Sequence, residues 1–120
     1  MSHRQMGYSR PIAVKDLEAC YRGLLDKGTT RIALTDDSAG GNLALVLLSI
    51  ASAQVSNGGI APVAAVAFSP VTDLALTGES FETRAEADPH FTKSQVAGFV
   101  RSYLGENDPR NPLASPLTVI

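Results

Sequence analysis

The chemistry available to this chain of 120 residues gathers around one serine. Ser38 lies in Leu34-Thr-Asp-Asp-Ser-Ala-Gly-Gly-Asn-Leu-Ala44, where a short apolar run gives way to small residues and then to a long apolar run. A strand that turns sharply at a serine and continues at once as a helix is the geometry written G-x-S-x-G. It exposes the hydroxyl for attack on a carbonyl carbon, and small residues such as Gly40 and Gly41 let the turn close. The helix N-terminus aims partial positive charge and free N–H groups at the serine. In that arrangement the Ala39 N–H donates to the developing oxyanion, one of the larger contributions in acyl transfer. Taken alone, the short motif reads equally well as a tight strand-to-helix connection without chemistry.

Other reactive side chains form weaker patterns. Ser38, Asp73 and His90 follow the hydrolase order Ser…Asp…His, and Asp73 comes just after the second apolar run. Order supplies no geometry, however, and a histidine beside Asp88-Pro89 reads first as a solvated loop residue. Asp36-Asp37 could mimic an acidic metal pair, but no third acid stands at suitable spacing, so no metal is expected. Cys20 falls on an apolar helical stripe and is expected in the core. His3 lies in an unpatterned arm. Asp88-Pro89 and Asp108-Pro109 are turn formers first.

The elements that must position Ser38 follow from periodicity. Residues 1–10 read as a loose arm, with 11–120 as the folded domain. Pro11 suits the first turn of a helix over 11–27, in which Ala13, Leu17, Cys20, Tyr21 and Leu24 take helical spacing and Gly28 is the stop. Arg31-Ile-Ala-Leu-Thr-Asp36 reads as a strand. The apolar run from Leu43 reads as a helix buried between layers, and Val63-Ala-Ala-Val-Ala-Phe68 as a second buried strand. Residues 70–91 are polar without a period, which points to a functional loop or lid. Thr92-Lys-Ser-Gln95 is a capping box for a helix over 93–104, with Val96, Phe99, Val100 and Tyr103 as its apolar stripe and Gly105 as its stop. Three prolines in the tail break the helix, and Thr118-Val-Ile120 could start another strand. Helix, strand, helix, strand is the order of a doubly wound α/β layer. Two strands alone are too few for a stable parallel sheet, so a further strand is required. Exposed sheet edges would favour self-association.

Composition narrows the function classes. A net charge of −2 with scattered basic residues gives no footprint for nucleic acid or an anionic membrane. The longest apolar run, Leu43 to Leu48, is far short of a membrane span, and the first residues carry no signal-peptide pattern. A lone cysteine excludes an intrachain disulfide and fits a cytoplasmic location. There is no P-loop lysine and no G-x-G-x-x-G, which argues against a phosphate- or nucleotide-binding module.

Longer stretches are more specific than the turn. Asp37-Ser-Ala-Gly-Gly-Asn-Leu-Ala44 resembles the G-D-S-A-G-G-N-L-A elbow of the hormone-sensitive-lipase-like bacterial esterases, a family of α/β-hydrolases. Tyr8-Ser-Arg-Pro-Ile-Ala-Val-Lys-Asp16 resembles that family's Y-R-L-A-P-E…P-x-A-x-x-D segment, and Ser69-Pro-Val-Thr-Asp-Leu74 its S-P-x-x-D-L. Tyr103 to Leu117 resembles the lead into the following strand. The resemblance covers about residues 8–117 in order and spacing. It implies a partial doubly wound parallel sheet of the α/β-hydrolase fold, in the order helix, strand, nucleophile elbow, helix, strand, lid-side helix. It also implies hydrolysis of short- to medium-chain carboxylic esters or lactones, with Ser38 as nucleophile and no cofactor. Asp73 then falls in a structural turn and His90 before the lid-side helix.

Departures from the family pattern bear on activity. Asp36 stands two residues before the serine, where the family has glycine. Its Cβ and charge are expected to distort the turn or to oppose the oxyanion. The family's H-G-G-G-type oxyanion loop has no counterpart here, and its catalytic Asp and His are expected beyond residue 120. Impaired turnover by the isolated chain is therefore expected. The alternative is a non-catalytic remnant or binding module that keeps the elbow as architecture.

Overall fold

The computed structural model describes residues 10–119. The loose arm expected over 1–10, with His3, lies outside these except for Arg10. Helix α1 (Ile12–Asp26) comes first, then strand β1 (Ala33–Asp37), and helix α2 (Ser38–Ala53) follows with no intervening residue. A single 3-10 turn (Val55–Asn57) leads to strand β2 (Ala64–Phe68). The short helix α3 (Ser80–Thr83), helix α4 (Lys93–Leu104) and a 3-10 turn (Pro116–Val119) complete the order.

β1 and β2 pair in parallel, Ala33 against Ala64 through Asp37 against Phe68. Parallel neighbours need a crossover, and α2 supplies it. α2 is apolar nearly all round because it packs on both sides. Val46 and Ile50 meet Val14 of α1 and Leu113, while Leu47 and Ala51 meet Tyr21 of α1. Towards the sheet, Gly41 sits so close to the chain leaving β2 that a Cβ there would lie 3.0 Å from the Pro70 Cβ. Leu74, Leu104 and Ala114 form a third cluster, which holds α4 to the C-terminal segment.

Several expectations need correction. The buried stripe of α1 is Val14, Leu17, Tyr21 and Leu25, because these residues face α2. Cys20 is exposed, one step of about 100° from Tyr21, so it is no core thiol. Leu24 is 41% exposed although it lies three residues from Tyr21, and on α4 Phe99 is 63% exposed while Leu104 takes the buried place. Thr118 and Val119 lie in a 3-10 turn, in which the Thr118 N–H donates back to the Ser115 carbonyl at 3.1 Å, so they start no strand. Ile120 is not among the described residues. The segment 70–91 is not structureless: Asp73 builds a turn at its start, and α3 follows.

The sheet has two strands among the described residues. One face is covered by α2. The other presents Val66, 50% exposed, and Phe68, 61% exposed. Alternation explains this: Ala65 and Ala67 point at the helix, and their neighbours point away.

Candidate active site

Ser38 is the first residue of α2 and holds φ +49, inside the left-handed region that a non-glycine residue seldom occupies. Asp37 before it is extended, with φ −118 and ψ 165. The chain therefore passes from strand to helix through one left-handed residue, and the Ser38 side chain is left exposed at the sheet's C-terminal edge. That is where ligands gather in open α/β sheets. Among the described residues the Ser38 hydroxyl has no hydrogen-bond partner. The Asp36 carboxylate turns towards Gly40 and accepts the Asp37 N–H at 2.9 Å.

The turn is held by the loop that leaves β2. The Ser38 carbonyl accepts the Val71 N–H at 3.2 Å. Asn42, buried on the next turn of α2, donates through Nδ2 to the Val71 carbonyl at 2.6 Å and the Ala114 carbonyl at 2.7 Å. One amide thus clamps the chain leaving β2 and the C-terminal segment to the start of α2. Ser115 extends the clamp, accepting the Leu74 N–H at 2.8 Å and donating to the Pro109 carbonyl at 2.5 Å. The clamp roles of Asn42 and Ser115 went unrecognised in the sequence. An amide in an otherwise apolar helix and a serine between Ala114 and Pro116 were the signals available.

Asp73 and His90 are placed apart in their bonding. Asp73 accepts the Ala75 N–H at 2.9 Å, the Thr77 N–H at 2.8 Å and the Thr77 hydroxyl at 2.5 Å, so both its oxygens are used by its own turn. Burial pushes its carboxyl up, but the Thr77, Ala75 and Leu76 hydrogen bonds outweigh this and hold it below the ordinary value. The His90 ring stacks at a tilt on Phe91, 6.4 Å between centroids, and its N–H on the backbone donates to Asp88. Among the described residues no hydrogen bond links Ser38, Asp73 and His90.

Beside the elbow a groove of about 830 Å³ runs from Ser69, Pro70 and Val71 along α3 to α4, with Phe81, Phe91 and Val96 in its wall. Val71, bonded to Ser38, is shared by groove and elbow. Among the described residues, no group of three His, Cys, Asp or Glu could hold a metal ion. None of their helices is long and apolar enough to cross a membrane.

Comparison with known proteins agrees with this geometry. A family model described as alpha/beta hydrolase fold matches residues 8–119. An acetyl-hydrolase of Streptomyces hygroscopicus is 41% identical over 108 residues, which are 88% of this chain and 35% of that protein. The crystal structure of an esterase from the bacterial hormone-sensitive lipase family superposes with a TM-score of 0.76 at 44% identity, over 90% of this chain and 37% of that one. The esterase EstE5, whose crystals were soaked with p-nitrophenyl butyrate, gives 0.76 at 38% identity, over 90% and 36%. The chain thus spans about a third of the length of the curated relatives it matches.

Proposed function

The chain belongs to the alpha/beta hydrolase fold family, with bacterial hormone-sensitive-lipase-like esterases among its relatives, and on that footing we propose that it serves carboxylic-ester hydrolysis by supplying the nucleophile Ser38. The observation that carries the reading is the left-handed Ser38 between β1 and α2, exposed and at the head of a helix. The hydroxyl attacks the ester carbonyl, the carbonyl π electrons move onto oxygen, and the Ala39 N–H donates to that oxyanion. Collapse expels the alcohol and leaves an acyl-Ser38, which water then hydrolyses to the acid.

A full cycle also needs a base to take the serine proton and an acid to orient that base. Asp73 serves its own turn and His90 a loop; Ser38 alone gives slow turnover, supported by the helix N-terminus and residual binding. The apolar groove that adjoins the elbow at Val71 favours esters with an apolar portion, in keeping with short- to medium-chain acyl groups. The single exposed cysteine suits a cytoplasmic setting. The uncovered face at Val66 and Phe68, with unpaired strand edges, makes self-association the expected behaviour of the chain by itself.

The test is release of p-nitrophenol from p-nitrophenyl butyrate by the chain beside Ser38→Ala. Slow release that is lost in the variant supports the reading. Equal release by both proteins favours the alternative, an elbow retained as architecture.

A further inference from the structure

Asp37 stands at the N-cap of α2, yet its side chain makes no capping hydrogen bond. The carboxylate that reaches the first turn is that of Asp36. A Cβ placed on Gly40 would stand 2.2 Å from both Cγ and Oδ2 of Asp36, and 2.6 Å from Oδ1. Gly40 does not hold a positive φ, and the atoms nearest to a Cβ there belong to the end of the Asp36 side chain and not to backbone, so what a side chain at position 40 would displace is the carboxylate. Asp36 and Gly40 are thus a matched pair: the carboxylate fills the room the missing side chain leaves. An anion against the first turn of a helix is favoured by the partial positive charge there. The same charge is what an oxyanion on a substrate at Ser38 would draw upon.

We infer that Asp36 is a positioning residue with two opposed effects: it braces the Ser38 turn against Gly40, and its charge restrains the reactivity of Ser38. Only the second effect rests on the reading of Ser38 as a nucleophile. Bracing predicts a reversal of sign. Gly40→Ala lowers Tm in the wild-type chain, because the new methyl needs the space of the carboxylate. In the Asp36→Gly background the same substitution is expected to raise Tm, because alanine is the better helix former and the carboxylate nearest to the new methyl is gone. Asp36→Ser provides a second small background should Asp36→Gly fail to fold.

The charge effect is read separately with Asp36→Asn, which keeps the shape and the side-chain acceptor for the Asp37 N–H. Its adduct with phenylmethylsulfonyl fluoride at Ser38, followed by mass spectrometry, is expected to form about two- to fivefold faster than in the wild type. A purely structural role for Asp36 would not accelerate that reaction. The experiment is therefore the thermal cycle of Asp36 and Gly40 variants, together with the adduct rates of wild type and Asp36→Asn. The same sign for Gly40→Ala in both backgrounds would overturn the bracing. An Asp36→Asn rate at or below wild type, including no adduct in either, would overturn the restraint. A reversal of sign in the thermal cycle without any adduct would leave the brace standing and count against Ser38 as the nucleophile.

Discussion

The Ser38 carbonyl accepts the Val71 N–H at 3.2 Å, so the turn that ends β1 is bonded to the chain that leaves β2. Each strand ends in a left-handed residue, Ser38 at φ +49 and Ser69 at φ +42, at the same edge of the sheet. The exposed serine is consequently held between a strand and a helix, and its turn is tied at Val71 to the loop that leaves β2.

A serine kept left-handed costs stability, of the order of 1–2 kcal/mol for an L-residue. Ser38→Gly is expected to recover about 1 kcal/mol, seen as a rise in Tm, while abolishing Ser38-dependent ester cleavage. Ser38→Val, β-branched at the same φ, is expected to lower Tm. A fall in Tm for the glycine variant would mean that the turn is not strained.

Asn42 makes its two donations inside the protein, to the carbonyls of Val71 and Ala114. Asn42→Ala leaves both acceptors without that partner, at a cost of about 2–4 kcal/mol. Urea unfolding measures this directly. Asn42→Asp, which offers no Nδ2 donor, is expected to do no better, whereas a role for Asn42 in filling volume alone would spare that variant.

How much of this was legible beforehand depends on whether the determining contacts are local. The capping box at Thr92 and Gln95 forms as the sequence indicates, because both hydrogen bonds lie within four residues. The two strands and the direct passage into α2 were equally readable from apolar runs and small residues. Cys20 was misplaced because α1 has apolar residues on more than one side, and only docking against Leu47 and Ala51 selects Tyr21 in preference. The sequence marks Asp36 as a residue that distorts the turn or opposes the oxyanion, without showing where its carboxylate goes. Its actual state depends on a contact with Gly40 four residues on, where a missing side chain gives the carboxylate its room. The Asn42 clamp joins residues 29 and 72 positions away, a separation no local pattern encodes.

Acid should loosen the turn at Asp73. Its folded carboxyl titrates below the ordinary value, so the stability it contributes is present above the unfolded value of about 4 and is lost as pH falls through the folded one. Unfolding midpoints measured from pH 6 down to pH 2 are expected to decline less steeply for Asp73→Asn than for the wild type in the range below about pH 4. Parallel curves would show that ionisation of Asp73 adds nothing to folding.

A nucleophilic Ser38 can be captured covalently. The chain and its Ser38→Ala variant are treated with phenylmethylsulfonyl fluoride, and the adduct is counted by intact mass and located by peptide mapping. The expected outcome is one sulfonyl group per chain, on Ser38, absent from the variant. A folded chain that takes up no label, or is labelled equally with and without Ser38, would contradict it.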